Sequence, residues 1–395
     1  MPRIRLIYSV LMTLLTLAAM PFAHAATPPN TALDLLIPPA PHLHTGGYAL
    51  LDASNSQVLA AQHPDRTVSP AASTKLMLAY LVFDELTTGQ VSPTTRLPVS
   101  TTAWHTPGSS MFLKPGTQVS IAHLLDGLIT DGGNDAAVCL AQGVAGTQSA
   151  ALSLMNQTAQ RLGLRRTHYA SVDGLTAAGA RTTPLDAAKL GQAVVSRFPQ
   201  YLGYFRHRTM RWNGITQISF DRLLERDPAA LGLTVGDGAQ GYGIVAAARQ
   251  HGTTLVAAVM DTPADGRSVA GAFAHVASQA YALLSWGFDN FDAHTLYQRN
   301  EPLRQIHIHG TAARVPIGAQ HTLRVLVPRG CYDDLHIRLL LDKHLHAPIQ
   351  NGVQVGEVSV ALRGKILAQT PVIALHTVAR ENGLQRLAAE LGHWL

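Results

Sequence analysis

The apolar pattern changes period once, at Trp286-Gly287-Phe288, and that change divides the chain. Ahead of it, strand-like runs bracket a long stretch of helical spacing. Tyr48–Asp52 and Gln57–Ala61 flank Ser54-Asn55-Ser56 and predict a hairpin. Ser69-Pro70 opens a helical pattern through Leu76, Tyr80, Phe83 and Leu86 that stops at Gly89. Further helices are predicted at Ile121–Thr130, from Asp135, near 148–162 and near 184–198. From Leu231 the pattern turns to strands, with a hairpin of Gly241–Arg249 and Thr253–Met260 around His251-Gly252, and Ala270–Ser285 closes as a helix. Strands at both ends with helices between them predict one mixed α/β domain over residues 40–290.

Behind the break, residues 292–377 carry short alternating runs split by turn residues. They are Gln305–His309, His321–Val327, His336–Leu341, Val353–Leu362 and Ile366–Leu375. This spacing predicts a small all-β sandwich. His307 and His309 are metal-ligand types at close spacing, but on a strand Ile306 and Ile308 would face inward and both imidazoles outward, so no metal site is expected. Residues 381–395 place Leu384, Leu387, Leu391 and Trp394 on one helical stripe, with Gln385, Arg386 and Glu390 off it. An amphipathic tail helix that contacts a membrane surface is the expectation, with packing onto its own domain as the alternative.

The other end of the chain reads as an export signal over residues 1–25. Arg3 and Arg5 precede an apolar run from Leu6 to Met20, and Ala23-His24-Ala25 fits a small-x-small cleavage site. Hydrophobic residues at 47% against 14% charged exclude a disordered chain. The net charge of +5 comes from basic residues spread along the chain with no Lys/Arg block, so nucleic acid is not an expected partner. Cys139 lies in an apolar pattern and Cys331 in the second domain, and a disulfide between them is not expected.

One helix start has the layout of a nucleophile site. In Ser-x-x-Lys enzymes, serine and lysine three apart share a helix face, the amine takes the serine proton, and the helix N-terminus favours the developing negative charge. In SPAASTKLMLAY (69–80) the residue three before Lys75 is Ala72. Ser73 is two before the lysine, about 200° around the helix, and points elsewhere.

From this point the chain resembles the low-molecular-mass penicillin-binding proteins, the D-alanyl-D-alanine carboxypeptidases of the bacterial cell wall. The likeness runs through PAASTKLMLAY, GSSMFLKPGTQV (108–119), DGGNDAAVCLA (131–141), DGLTAAGARTTPLDAAKL (173–190), WNGITQ (212–217) and GLTVGDGAQGYGIVAAA (232–248). It continues in the β-domain with VPRG (327–330) and HAPIQNGVQVGEV (346–358). The resemblance implies a β-lactamase/transpeptidase-like domain followed by the β-domain. It implies a serine peptidase without cofactors, placed in the periplasm and acting on peptidoglycan stem peptides.

The family's three catalytic motifs are Ser-x-x-Lys, Ser-x-Asn and Lys-Thr-Gly. By resemblance the first falls on Ala72-Ser73-Thr74-Lys75, the second on Gly132-Gly133-Asn134 and the third on Thr234-Val235-Gly236. Lys75, Asn134 and Gly236 survive; both serines and the third-motif lysine and threonine do not. No lysine lies between Lys189 and Lys343. Ala72 cannot form an acyl ester, Gly132 cannot relay a proton, and Thr234-Val235 cannot offer a cation and hydroxyl to a terminal carboxylate. Losing a nucleophile alone can cost ~10⁶ in rate.

The expected function is therefore a non-catalytic, exported family member that binds wall peptide or an envelope protein. An active carboxypeptidase rebuilt around Ser73, and an envelope scaffold with a closed cleft, stay open beside it. Lys75 and Asn134 are expected to meet by a hydrogen bond at the cleft floor, because a buried lysine needs a partner.

Overall fold

The computed structural model describes residues 38–311 and 313–380. Chain order begins with β1 (Gly47–Asp52) and β2 (Val58–Gln62), the expected hairpin, and α1 (Ala71–Thr87). Next come β3 (Arg96–Pro98), α2 (Thr101–Trp104), β4 (Gln118–Ser120), α3 (Ile121–Thr130), α4 (Asn134–Ala145), α5 (Gln148–Arg161) and α6 (Pro184–Arg197). After a 3₁₀ turn at Pro199–Arg206 follow β5 (Thr209–Trp212), β6 (Ile215–Ile218), α7 (Leu223–Arg226), β7 (Ala230–Gly238), β8 (Gly241–Gln250), β9 (Thr253–Thr262) and α8 (Val269–Asn290).

Strands from the two ends of this domain meet in one antiparallel sheet, in the order β2-β1-β9-β8-β7. The sheet is apolar on both faces, as a sheet covered by helices on both sides must be. Leu51, Val245, Val256 and Ala258 face the larger core with α1 and α6, while Leu50, Ile244, Leu255 and Val259 face α8. Helix α1 runs through the larger core and is buried nearly all round, including Leu76, Met77, Leu78 and Phe83. A helix apolar on every side is a core helix, so its first turn has a fixed place relative to the sheet.

The β-domain contains β10 (Phe291–Tyr297), β11 (Pro302–Ile306), β12 (Val315–Ala319), β13 (Leu323–Pro328), β14 (Leu335–Leu341), β15 (Gln354–Leu362) and β16 (Lys365–Ala374). A β10-β13 pair stands against the sheet β11-β12-β16-β15-β14, and Val315, Ile317, Val325, Val360 and Val372 are among the residues filling the space between. Ile306 and Ile308 are buried and His307 and His309 exposed, as alternation required, although β11 ends at Ile306. Cys139 and Cys331 are both free and buried.

The sequence pattern does not show α2, α7, β3, β4, β10, β12 or the β5–β6 hairpin, and α8 runs on past Ser285 to Asn290. Strand β12 contains Pro316 and Gly318, which hide a strand from propensity reasoning. The expected leader (1–25) and tail helix (381–395, with Leu384, Leu387, Leu391 and Trp394) lie outside the described residues.

Candidate active-site cleft

The first turn of α1 fixes the cleft. Its N-cap is Pro70, and the Ser73 and Thr74 hydroxyls both donate back to the Pro70 carbonyl, at 2.9 and 3.1 Å. Ser73 is 0% exposed, so its oxygen reaches no substrate. The geometry therefore gives the rebuilt-nucleophile alternative no support. Ala72 is buried against the sheet, where a side chain on Gly243 would touch its methyl at 3.4 Å.

The surviving glycine of the third motif has a packing role. A Cβ on Gly236 would lie 2.6 Å from the Ala72 nitrogen and 2.7 Å from the Ala71 carbonyl carbon, distances no real Cβ tolerates. Strand β7 therefore lies directly on the start of α1, and only glycine fits between them. The other two residues of that motif do not line the cleft. Thr234 is buried with its hydroxyl turned to the Val235 carbonyl, and Val235 packs against the core on the α8 side.

The cleft, of about 260 Å³, is lined by residues including Lys75, Ser109, Asn134, Asp173, Gly236 and Asp237. The Lys75 ammonium donates to the Asp173 carbonyl at 2.6 Å. Burial lowers its pKa to about 8, opposed by the negative charges of Asp173, Asp237 and Asp131. Asn134 is the first residue of α4. Its amide nitrogen donates to the Pro107 carbonyl at 2.7 Å, and its carboxamide oxygen has no partner.

The expected hydrogen bond between Lys75 and Asn134 is thus not formed, although both side chains line one cleft. Each polar head is held by a backbone carbonyl from a different loop. Neither motif supplies a serine hydroxyl to bridge them. Gly132 adopts φ 67°, the left-handed turn that ends α3, and open space surrounds the position a Cβ would occupy.

Loop anchors set the remaining wall, and sequence reasoning did not assign them. Asp135 accepts hydrogen bonds from the Met111 and Leu113 amides and the Ser110 hydroxyl, which ties the segment carrying Ser109 to α4. Asp173 accepts from the Leu175 amide, and Gly174, at φ 86°, passes 3.2 Å from the Ala71 carbonyl at its would-be Cβ. Both anchors lie inside segments that carried the family resemblance, which was the available signal.

Two family models match the chain. The D-alanyl-D-alanine carboxypeptidase peptidase model covers residues 36–264, and the penicillin-binding protein 5 C-terminal domain model covers 291–380. Among curated proteins, the chain is 33% identical to the D-alanyl-D-alanine carboxypeptidase DacA of Escherichia coli, over 91% of this chain and 90% of that one. It is 31% identical to DacD of Salmonella typhimurium, over 90% and 92%. Among solved structures, penicillin-binding protein 5 from Haemophilus influenzae superposes with a TM-score of 0.80 at 28% identity, covering 87% of this chain and 99% of that one. Penicillin-binding protein 6B from Escherichia coli gives 0.66 at 30%, covering 85% and 96%.

Proposed function

Because this chain belongs to the D-alanyl-D-alanine carboxypeptidase family, we propose that it is an exported, non-catalytic member that holds peptidoglycan peptide or an envelope protein in its cleft. The observation that carries this reading is Ala72 where the family motif places its nucleophile, with the adjacent Ser73 hydroxyl buried and bonded to Pro70. Acyl transfer needs a nucleophile and a base within hydrogen-bond reach of one another. Lys75 remains as a base with no hydroxyl in front of it.

The test is intact-protein mass spectrometry after incubation with benzylpenicillin, which is opened by the same serine attack. We expect no stable adduct. A mass increase of one opened penicillin, mapped to Ser73 or Lys75, would defeat the non-catalytic reading. The cleft supports binding over a pure scaffold because it is open and lined by polar groups, where a closed scaffold would fill it with apolar side chains.

Export rests on the residue pattern of positions 1–25, and membrane contact on the apolar stripe Leu384, Leu387, Leu391 and Trp394. Truncation after Arg380 should reduce co-sedimentation of the mature protein with phospholipid vesicles. Equal partitioning of truncated and full-length protein would remove the tail from the proposal.

A further inference from the structure

We propose that the outer edge of β14 is a self-association surface, which pairs antiparallel and about a two-fold axis with β14 of a second copy of this chain. The inference goes beyond the cleft and uses none of its residues. Strand β14 ends the five-stranded sheet of the β-domain, and among the described residues it pairs with β15 alone. Asp342, just past the strand, donates its amide to the Val355 carbonyl at 3.0 Å and so sets the phase of the ladder. Bonded positions alternate in an antiparallel pair, so His336, Arg338 and Leu340 bond inward to β15. Leu335, Ile337, Leu339 and Leu341 therefore turn their amides and carbonyls to the open edge.

Sheet edges ordinarily carry a device against such pairing, and this sheet shows the contrast within itself. Its other edge, β11, has five residues, begins with Pro302 and breaks register between Pro302 and Arg304. A proline and a bulge both spoil an edge for docking. Strand β14 has seven residues, LHIRLLL, with no proline and an unbroken register on β15. Ile337 and Leu340 on it are 47% and 49% exposed. A long, regular, apolar edge of this kind is a template for another strand.

Charge says which strand. A two-fold axis centred on Arg338 would set that guanidinium against its own copy, and like charges directly opposite are destabilising. Centred on Leu340, the axis sets Arg338 opposite Asp342 of the second copy, twice by symmetry. Arg338 and Asp342 are both exposed, and among the described residues neither has an ion pair within its own chain. Between the two new ion pairs Leu340 meets its own copy. On the opposite face Leu339 meets Leu341, and both already pack against the β-domain core, so the apolar layer runs on across the axis. A second copy thus supplies anion, leucine and cation in the matching order. One strand pair is a small interface, under the ~1,000 Å² of a stable complex, so the dimer is weak.

The experiment is sedimentation velocity of the full mature chain without lipid, from roughly 5 to 500 μM, with the Tm of every variant measured beside it. We expect a reversible monomer–dimer equilibrium with a Kd on the order of 100 μM that weakens as salt rises. Arg338→Asp and Asp342→Arg should each weaken it about ten-fold or more, because each sets like charges across the axis. The double variant carrying both changes should restore it, a rescue that neither misfolding nor a partner of other sequence would produce. Leu340→Lys, which brings two ammonium groups together on the axis, should leave a monomer. A chain monomeric at every concentration would overturn the inference. So would a dimer indifferent to these changes, or single-variant losses that the double variant does not repair. A dimer lost only on truncation after Arg380 would assign the association to the tail and overturn it likewise.

Discussion

Asp131 sits at the C-terminal end of α3, buried, with one carboxylate oxygen lacking a partner. Burial pushes its pKa up from 3.8 to about 7, with the Gln217 amide and Lys75 pulling the other way and Asp135 adding to the rise. A helix C-terminus also disfavours negative charge. The folded state therefore binds a proton that the unfolded chain has already released between about pH 4 and 7. Its contribution to stability is fully present below the unfolded value and is lost as pH rises through 7. Asp131→Asn should match the parent near pH 4 and exceed it progressively up to pH 8, by roughly 1–2 kcal/mol or a few degrees in Tm. Asp221, also buried and raised to about 6, is common to both proteins and cancels in the difference. Melting curves at pH 4, 6 and 8 decide the matter. A Tm difference that is flat with pH would show that Asp131 stays ionised in the fold. None of this was legible in the sequence, where Asp131 was one letter in DGGNDAAVCLA. Burial at the end of α3 is a property of the assembled cleft.

At the scale of elements, legibility followed periodicity. Helices α1, α3, α5 and α6, the start of α4, and the β8–β9 hairpin fall within about two residues of their expected positions, because each has a one-sided or continuous apolar pattern with clear signals. The Ser120, Thr147 and Thr183 side chains cap α3, α5 and α6 by accepting amides three residues on. Such caps are visible as letters. The β5–β6 hairpin was not legible. Thr209–Trp212 and Ile215–Ile218 are largely exposed, so no alternation of burial was written into them. Yet this hairpin helps shape the cleft surroundings. Gln217 donates to the Ser110 carbonyl at 3.0 Å and Asn213 to the Phe112 carbonyl at 3.1 Å. The hairpin therefore grips the same segment that Asp135 anchors from the other side. The motif residues show the same split. That Ala72 replaces a serine could be read directly, whereas the turning away of Thr234 and Val235 needed the register of β7 on β8, which pairs Thr234 with Val245 and Val235 with Ile244.

At the scale of the whole molecule, the two domains are joined by more than the chain. Helix α8 ends at Asn290 and β10 begins at Phe291, so no linker separates them. Leu326 of the β-domain is buried in the core that faces α8. Around it runs a clasp of hydrogen bonds. The Gln57 side chain donates to the Leu326 carbonyl at 2.9 Å and accepts from the Leu326 amide at 3.3 Å. The Asn55 side chain donates to the Arg324 carbonyl at 3.0 Å, and the Arg324 guanidinium donates to the Gly252 carbonyl and the Thr253 hydroxyl at 2.9 and 2.8 Å. Two hairpin turns of the peptidase domain thus hold one strand of the β-domain. Inter-domain motion is the default where an interface is small and polar. Here a buried leucine and a direct helix-to-strand junction oppose it. Replacing both Gln57 and Arg324 by alanine removes four hydrogen bonds of about 1 kcal/mol each while leaving the Leu326 packing in place. Calorimetry of that double variant should show a Tm several degrees lower, with the single unfolding peak broadening or splitting as the β-domain melts apart from the peptidase domain. A sharp single peak at the parent temperature would mean that the Leu326 contact and the α8–β10 junction couple the domains unaided.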